Sequence, residues 1–338
     1  MSAPLNTKAV ERPHIPVMLE EVLHAAAVKD GEHVVDATFG HGGYSEAFLK
    51  AADCHVTGLD RDPTVRPRAD ALARHYDGRF QLVETPFSRM DRHDLPKADV
   101  VVFDIGVSSM QIDQAERGFS FQKDGPLDMR MSRSGPTARD AVMQLSEAEL
   151  ATVFKVYGEE RHARRAARRI VEAREEALIE TTAQLAELIE AAIGRSGKIH
   201  PATRVFQALR IFVNDELGEL YRGLCAAETL LKPGGRMVVV TFHSLEDRIA
   251  KQFLRDRAGE VEGGSRYAPA VTRTGPKPSF TLPRRSVVKP GKREESENPR
   301  SRSAKLRLAV RTDAPAQECD AASWHPPRTT LPTLEQLA

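Results

Sequence analysis

An α/β fold built on a parallel, doubly wound sheet is what the hydrophobic pattern of this chain predicts. Five apolar runs, Val34–Thr38, Val56–Asp60, Phe80–Glu84, Val100–Gly106 and Met237–Phe242, are separated by helical sequence, the alternation that builds such sheets. The first run ends in an acid and passes through Gly40-His41-Gly42-Gly43 into a helix start. The fifth comes much later than one crossover helix requires, so the interval between the fourth and fifth runs reads as an inserted domain.

The insertion is expected to be helical. Ser146-x-x-Glu149 forms a capping box ahead of Leu150, Val153, Phe154 and Tyr157, and Thr182 precedes the stripe Leu185, Leu188, Ile189 and Ala192, stopped by Gly194. One long helix from about Pro201 to Leu231 should lead back through Lys232-Pro233-Gly234-Gly235 to the fifth strand. Ser303 to Arg311 reads as a late edge strand, and the proline-rich end from Asp313 as a loosely held tail.

The glycine-rich loop narrows the ligand. Glycines there let the backbone approach a ligand, and the helix amides beyond supply donors and a positive dipole end. No Gly-Lys-Ser/Thr follows Gly43, which argues against a triphosphate loop. A nicotinamide dinucleotide fits poorly, because its third glycine position falls on Ser45 and Asp36 would repel a pyrophosphate. Asp60, closing the second run, suits the two hydroxyls of a ribose. An adenosyl cofactor carrying an amino acid, S-adenosyl-L-methionine, fits best, since its ammonium would welcome Asp36.

The 338 residues are 41% hydrophobic and 29% charged, an ordinary globular balance. No apolar run is long enough to cross a bilayer and Met1 to Glu11 lacks a secretory segment, so a cytoplasmic protein without membrane contact is expected. Cys54, Cys225 and Cys319 are far apart and the eleven histidines lack ligand spacing, so neither a disulfide framework nor a metal site is indicated. The net charge of +1 hides an asymmetry: Val271 to Arg311 holds twelve Lys/Arg against three Glu, +9 there and −8 elsewhere. In Arg161-His162-Ala163-Arg164-Arg165-Ala166-Ala167-Arg168-Arg169-Ile170, five arginines share one side at helical spacing, opposite an alanine and isoleucine face. Arg161, Arg165 and Arg169 are accordingly candidates for contact with nucleic acid.

The fourth run should carry the chemistry, because the site of an open α/β sheet lies beyond the carboxyl ends of its strands. It ends Phe103-Asp104-Ile105-Gly106-Val107-Ser108-Ser109-Met110-Gln111, an acid followed by small residues, and Phe242-His243-Ser244-Leu245-Glu246-Asp247 ends the fifth. Asp104 could accept a hydrogen bond from an amine. For His243, helix capping weighs about as much as chemistry.

Longer motifs resemble one family. They are His14-Ile15-Pro16-Val17-Met18-Leu19, Glu116-Arg117-Gly118-Phe119-Ser120-Phe121, Gly125-Pro126-Leu127-Asp128-Met129-Arg130-Met131, Tyr157-Gly158-Glu159-Glu160-Arg161, Pro201 to Ile211, Phe242 to Arg248 and Asn298 to Arg307. The chain resembles, over nearly its whole length, the bacterial 16S ribosomal RNA cytosine-N4 methyltransferases of the RsmH (MraW) type. The resemblance implies a Rossmann-like class I methyltransferase fold that binds S-adenosyl-L-methionine at Gly42, Gly43, Tyr44, Asp60, Phe87, Asp104 and Gln111. It implies a decoding-centre cytosine of 16S rRNA, in the assembled small ribosomal subunit, as target. The organisation then reads as a core in two parts, 1–111 and 201–312, an inserted helical substrate-recognition domain at 112–200, and a flexible tail at 313–338. A homodimer is left open. Two positions depart from the family pattern: Gly40-His41-Gly42-Gly43-Tyr44 lacks Arg at its second place and His at its fifth, and Met110 replaces a proline.

Cytosine N4 is a poor nucleophile, so an enzyme must orient it and accept its hydrogen bonds as charge develops. Asp104 is the first choice as acceptor, with His243, Asp128 and Arg130 as substrate-side groups, although Asp104-Ile105-Gly106-Val107 lacks the Asp/Asn-Pro-Pro-aromatic motif common in amino-methyltransferases. Phe119, Phe121 and Tyr157 are candidates for stacking on a flipped base, with core packing the stronger reading. A C5-cytosine methyltransferase would need a cysteine at the site, a dehydrogenase would need nicotinamide affinity, and an assembly factor would bind RNA without consuming the cofactor.

Overall fold

The computed structural model describes residues 16–132, 134–195, 197, 199–260, 276–283, 287–320 and 331–337. The start of the first family motif (His14-Ile15), the basic residues within 271–275 and 284–286, and positions 321–330 and 338 of the tail lie outside the described residues.

Helices and strands alternate from the start: α1 (Leu19–Ala26), β1 (His33–Asp36), α2 (Gly43–Ala51), β2 (His55–Asp60), α3 (Arg66–His75) and β3 (Phe80–Glu84). A 3-10 turn at Phe87–Arg92 leads to β4 (Ala98–Asp104). Then come α4 (Ser109–Asp113), α5 (Ala138–Gln144), α6 (Glu147–Tyr157), α7 (Ala163–Glu176), α8 (Thr182–Ile193), α9 (Ala202–Asn214) and α10 (Glu216–Leu230). The remainder is β5 (Leu231–Thr241), α11 (Ser244–Arg257), β6 (Phe280–Thr281), β7 (Val287–Val288), α12 (Lys292–Glu297) and β8 (Lys305–Arg311).

The strands lie in the order β3-β2-β1-β4-β5-β8-β6, with β7 also on β8. β1 to β5 are parallel, as expected, and Val100 to Phe103 are fully buried because helices cover both faces. The period of two splits the strands between two cores. Val34, Val100, Val102, Val238 and Val240 pack with α1 to α3, whereas Val35, Val101, Phe103, Met237 and Val239 pack with α9 to α11.

Four expectations are corrected. First, the sheet is mixed and β8 is interior: it runs antiparallel between β5 on one side and β6 and β7 on the other. Its arginines Arg307 and Arg311 are buried with partners, Arg307 on Asp247 and Arg311 on the carbonyls of Glu228, Ser279 and Ala314. Second, the long helix is two helices, broken where Asp215 turns left-handed (φ 46°) and its N–H caps α9. Third, Cys225 of α10 is disulfide-bonded to Cys319, a pairing across 94 residues that sequence spacing concealed. Fourth, composition suggested a loose tail, yet residues 314–320 are held by that bond, by the Gln317 N–H donating to Glu228 (3.0 Å) and by Arg257 donating to the Glu318 carbonyl (3.2 Å). Among the described residues, no helix is long and apolar enough to cross a membrane.

Candidate active site

The parallel strands place their carboxyl ends on one rim, and the connections diverge between the adjacent strands β1 and β4, where a crevice opens in such sheets. Asp36 ends β1, Asp60 ends β2, Asp104 ends β4, and His243 follows β5. Four of the sequence-predicted residues thus share the rim, with the glycine loop above β1.

The loop is held by packing as well as by freedom of φ. Gly40 (φ 49°) donates its N–H to Asp60 (2.8 Å), and Gly42 (φ 73°) caps α2. A Cβ on Gly42 would strike the Phe39 ring, and one on Gly43 would strike Pro16. These two glycines are therefore required by neighbours within the protein. Tyr44 is buried, its hydroxyl donating to the Val17 carbonyl, so its side chain belongs to the core and only its backbone faces the loop.

Buried negative charge dominates the rim. Asp36 is 1% exposed and accepts from the Ser45 hydroxyl (2.7 Å) and the Thr38 N–H (3.3 Å), yet burial pushes its pKa up to about 6. The Asp104 backbone N–H donates to Thr38 Oγ1 (2.6 Å), while its carboxylate Oδ1 is buried without a hydrogen-bond partner. Burial first, then the charges of Asp36 and Glu246, raise the Asp104 pKa to about 8. An orphaned buried carboxylate oxygen is costly unless a ligand supplies its partner.

Asp60 accepts from Gly40 N–H with one oxygen and from Asp62 N–H (2.8 Å) with the other, which leaves lone pairs on both. Burial raises its pKa as well. Gln111 is buried beside it, donating to Asp62 (3.1 Å) and accepting from Ser108 N–H (3.0 Å). Phe87 packs edge-on against Phe103 (5.6 Å between centroids), and its ring would block any Cβ at Gly223 of α10. Phe87 is half-buried near the end of β3, whose neighbour Thr85 donates its N–H to the Asp60 carbonyl.

His243 caps α11. Its Nδ1 accepts the Glu246 N–H (3.4 Å), while Glu246 Oε2 accepts the N–H groups of Phe242 and His243, a reciprocal box. Glu246 is fully buried with its Oε1 2.9 Å from His243 Nε2; burial, the largest influence, raises its pKa, but hydrogen bonding from His243 and the Phe242 N–H and the charge of Arg210 hold it down. Glu216, His243 and Glu246 bring ligand-type atoms within 4.8 Å of one another. The capping role assigns the ring proton to Nε2, however, and Arg210 grips both oxygens of Glu216 (2.8 and 2.9 Å), so His243 is committed to the helix cap and Glu216 to an ion pair. Glu246, Arg210 and Glu216 were missed from sequence; the spacing His243-x-x-Glu246 was the available signal.

Asp128 and Arg130 pair with each other through two hydrogen bonds (2.9 and 2.7 Å). Arg161 precedes α7, which starts only at Ala163. Arg164, Arg165 and Arg168 are exposed and Arg169 half-buried, opposite buried Ala163, Ala166, Ala167 and Ile170. Local partners are sparse: Arg168 lies 3.8 Å from Glu147, Arg169 3.8 Å from Glu172, and Arg165 donates to the Ile193 carbonyl. Phe121 packs against Phe206 and His200, and Tyr157 is buried, so core packing accounts for both. Phe119 is half-buried, with Arg117 over its ring.

A family model described as the MraW methylase family matches residues 11–312. The chain belongs to the MraW methylase family. Curated relatives named ribosomal RNA small subunit methyltransferase H include one from Maricaulis maris, 59% identical over 96% of this chain and 98% of its own length. Others are from Hyphomonas neptunium (53%, over 97% and 96%) and Caulobacter vibrioides (56%, over 90% and 98%). The cofactor of this MraW methylase is S-adenosylmethionine, and the rim suits it. A sulfonium and an ammonium would meet Asp36 and the orphaned Asp104, and a ribose would meet the remaining lone pairs of Asp60.

Proposed function

We propose that the chain transfers the methyl group of S-adenosylmethionine to the exocyclic N4 of a decoding-centre cytosine in 16S rRNA of the small ribosomal subunit. The observation that carries the reading is Asp104: a buried carboxylate oxygen without a partner, at the end of β4, between the glycine loop and His243. The relatives' names support ribosomal RNA of the small subunit as the substrate class, and the family resemblance supports cytosine N4.

The bound cofactor supplies an electrophilic methyl group on sulfur. Asp60 holds the ribose, Asp36 the ammonium, and Gln111 with Phe87 line the adenosine side. Asp104 accepts a hydrogen bond from the N4 amine, orients its lone pair and takes up the proton released as the C–N bond forms. His243, with its Nε2–H tautomer fixed by the cap, stands on the substrate side with Asp128 and Arg130. The segment 112–200 recognises RNA in this reading. Transfer of label from the cofactor to small-subunit rRNA tests the class of reaction; a folded enzyme that leaves rRNA unlabelled would end the proposal.

No thiolate is available for an enzyme–base adduct. Cys54 is fully buried, burial raising its pKa to about 11, and Cys225 and Cys319 are bonded to each other. With Cys54, Cys225 and Cys319 all changed to Ser, turnover under reducing conditions should stay within about threefold of wild type, a shift worth less than about 1 kcal/mol. An inert but folded variant would require a covalent route.

The arginines of 161–169 are expected to touch phosphates. Changing Arg161, Arg165 and Arg169 to Ala should reduce the slope of log K against log salt by about 0.7–0.9 for each phosphate no longer neutralised. An unchanged slope would show that this face serves only the solvent.

A further inference from the structure

Asp62, whose N–H donates to Asp60 (2.8 Å), is 3% exposed and is the most heavily bonded carboxylate on the rim. Its Oδ1 accepts from the Thr64 N–H and hydroxyl (3.1 and 2.7 Å). Its Oδ2 accepts from Gln111 (3.1 Å) and from Arg117 Nη1 (2.8 Å). Burial opposes ionisation, but these bonds hold its pKa below the usual range, so it is a carboxylate at neutral pH.

Arg117 carries the connection outward. Its other nitrogen, Nη2, donates to the carbonyls of Arg130 (3.0 Å) and Met131 (3.1 Å), and its own carbonyl accepts the Met129 N–H (3.0 Å). Met129 is fully buried with φ 61°, a conformation that a β-unbranched residue other than glycine adopts only under constraint. The constraint is completed by Asn214, which accepts from Met131 N–H and donates to the Met129 carbonyl, both at 2.7 Å. Close packing allows little slack: a Cβ on Gly118 would lie 2.2 Å from the Pro126 carbonyl oxygen, and one on Gly125 1.9 Å from that of Ala115.

We propose that Arg117 is a positioning residue that couples the cofactor site to the RNA-facing segment 128–131 through Asp62, so that cofactor and RNA each strengthen the binding of the other. The planar fork is essential, because one guanidinium must satisfy a carboxylate on one side and two carbonyls on the other. Occupation of Asp60 and Gln111 by cofactor fixes Asp62, which fixes Arg117 and with it the backbone that presents Asp128 and Arg130. This rests on the reading of the chain as an rRNA methyltransferase.

The test measures binding of sinefungin, an unreactive cationic analogue of the cofactor, by calorimetry with and without isolated small ribosomal subunits. Wild type should bind sinefungin at least about fivefold more tightly in the presence of subunits. Arg117→Lys, which keeps the ion pair but not the fork, should bind sinefungin alone within about threefold of wild type and lose the enhancement to within twofold. Arg117→Ala should do the same, with a raised KM for subunits and a smaller change in kcat. Enhancement that persists in either folded variant, or that is absent from wild type, would overturn the proposal; a purely structural role would lower both affinities and leave their ratio intact. A wild type that transfers no label to rRNA would instead overturn the underlying assignment, so the two failures are distinct.

Discussion

Asp104→Asn is expected to lower turnover at saturating cofactor by about a hundredfold or more, the range of a lost proton acceptor. Asparagine nearly matches aspartate in shape, so the loss isolates charge and basicity from packing. The same variant separates a second role through pH. In the free protein Asp104 has a pKa of about 8 and Asp36 of about 6, both raised first by burial. A cationic cofactor favours the ionised carboxylates, so below these values binding must expel protons. Affinity for S-adenosylmethionine should therefore rise with pH up to about 8, by at most tenfold per unit between about 6 and 8, where only Asp104 must lose its proton, and more steeply below about 6, where both must, and level off above about 8. S-adenosylhomocysteine, without the sulfonium charge, should show a shallower rise. In Asp104→Asn the rise between about 6 and 8 should disappear and only the rise below about 6 should remain; a profile parallel to wild type would remove Asp104 from contact with the cation.

Asp60→Ala is expected to weaken S-adenosylmethionine binding at least tenfold while leaving the sheet intact. Charge-assisted hydrogen bonds are worth about 1.5–3 kcal/mol each, and two ribose hydroxyls would lose their acceptor. The variant also strands the Gly40 and Asp62 N–H groups that Asp60 now accepts, so the glycine loop loses its anchor at the same time. Asp60→Asn keeps one acceptor oxygen and should lose less. Calorimetry on folded protein decides the matter, and equal affinities for wild type and Asp60→Ala would place the ribose elsewhere.

The parallel strands were legible because burial on both faces writes continuous apolar runs, as in Val100-Val101-Val102-Phe103. The capping box at Ser146 marked a helix start for a local reason, a side chain and an amide three residues apart. What escaped notice depends on distant partners. β8 was expected at an edge from its alternating apolar residues alone, whereas it is paired on both sides and its Arg307 and Arg311 are satisfied in the interior by Asp247 and by backbone carbonyls. The break at Asp215 is invisible to periodicity, since the apolar stripe continues across it. At the rim, the acids Asp36, Asp60 and Asp104 followed from strand-end logic, but the Asp62–Arg117 and Arg210–Glu216 pairs join residues whose proximity only the fold creates or whose spacing has no common motif. Glycine was expected to admit a ligand at positions 42 and 43, and its nearest obligations proved to be Phe39 and Pro16.

The most direct measurement is mass spectrometry of nucleosides from 16S rRNA after small subunits lacking the modification are incubated with this protein and isotopically labelled S-adenosylmethionine. N4-methylcytidine carrying the label, at a single decoding-centre position, is the predicted product. Label in 5-methylcytidine or in a purine, or unlabelled rRNA from folded and cofactor-binding protein, would contradict the account.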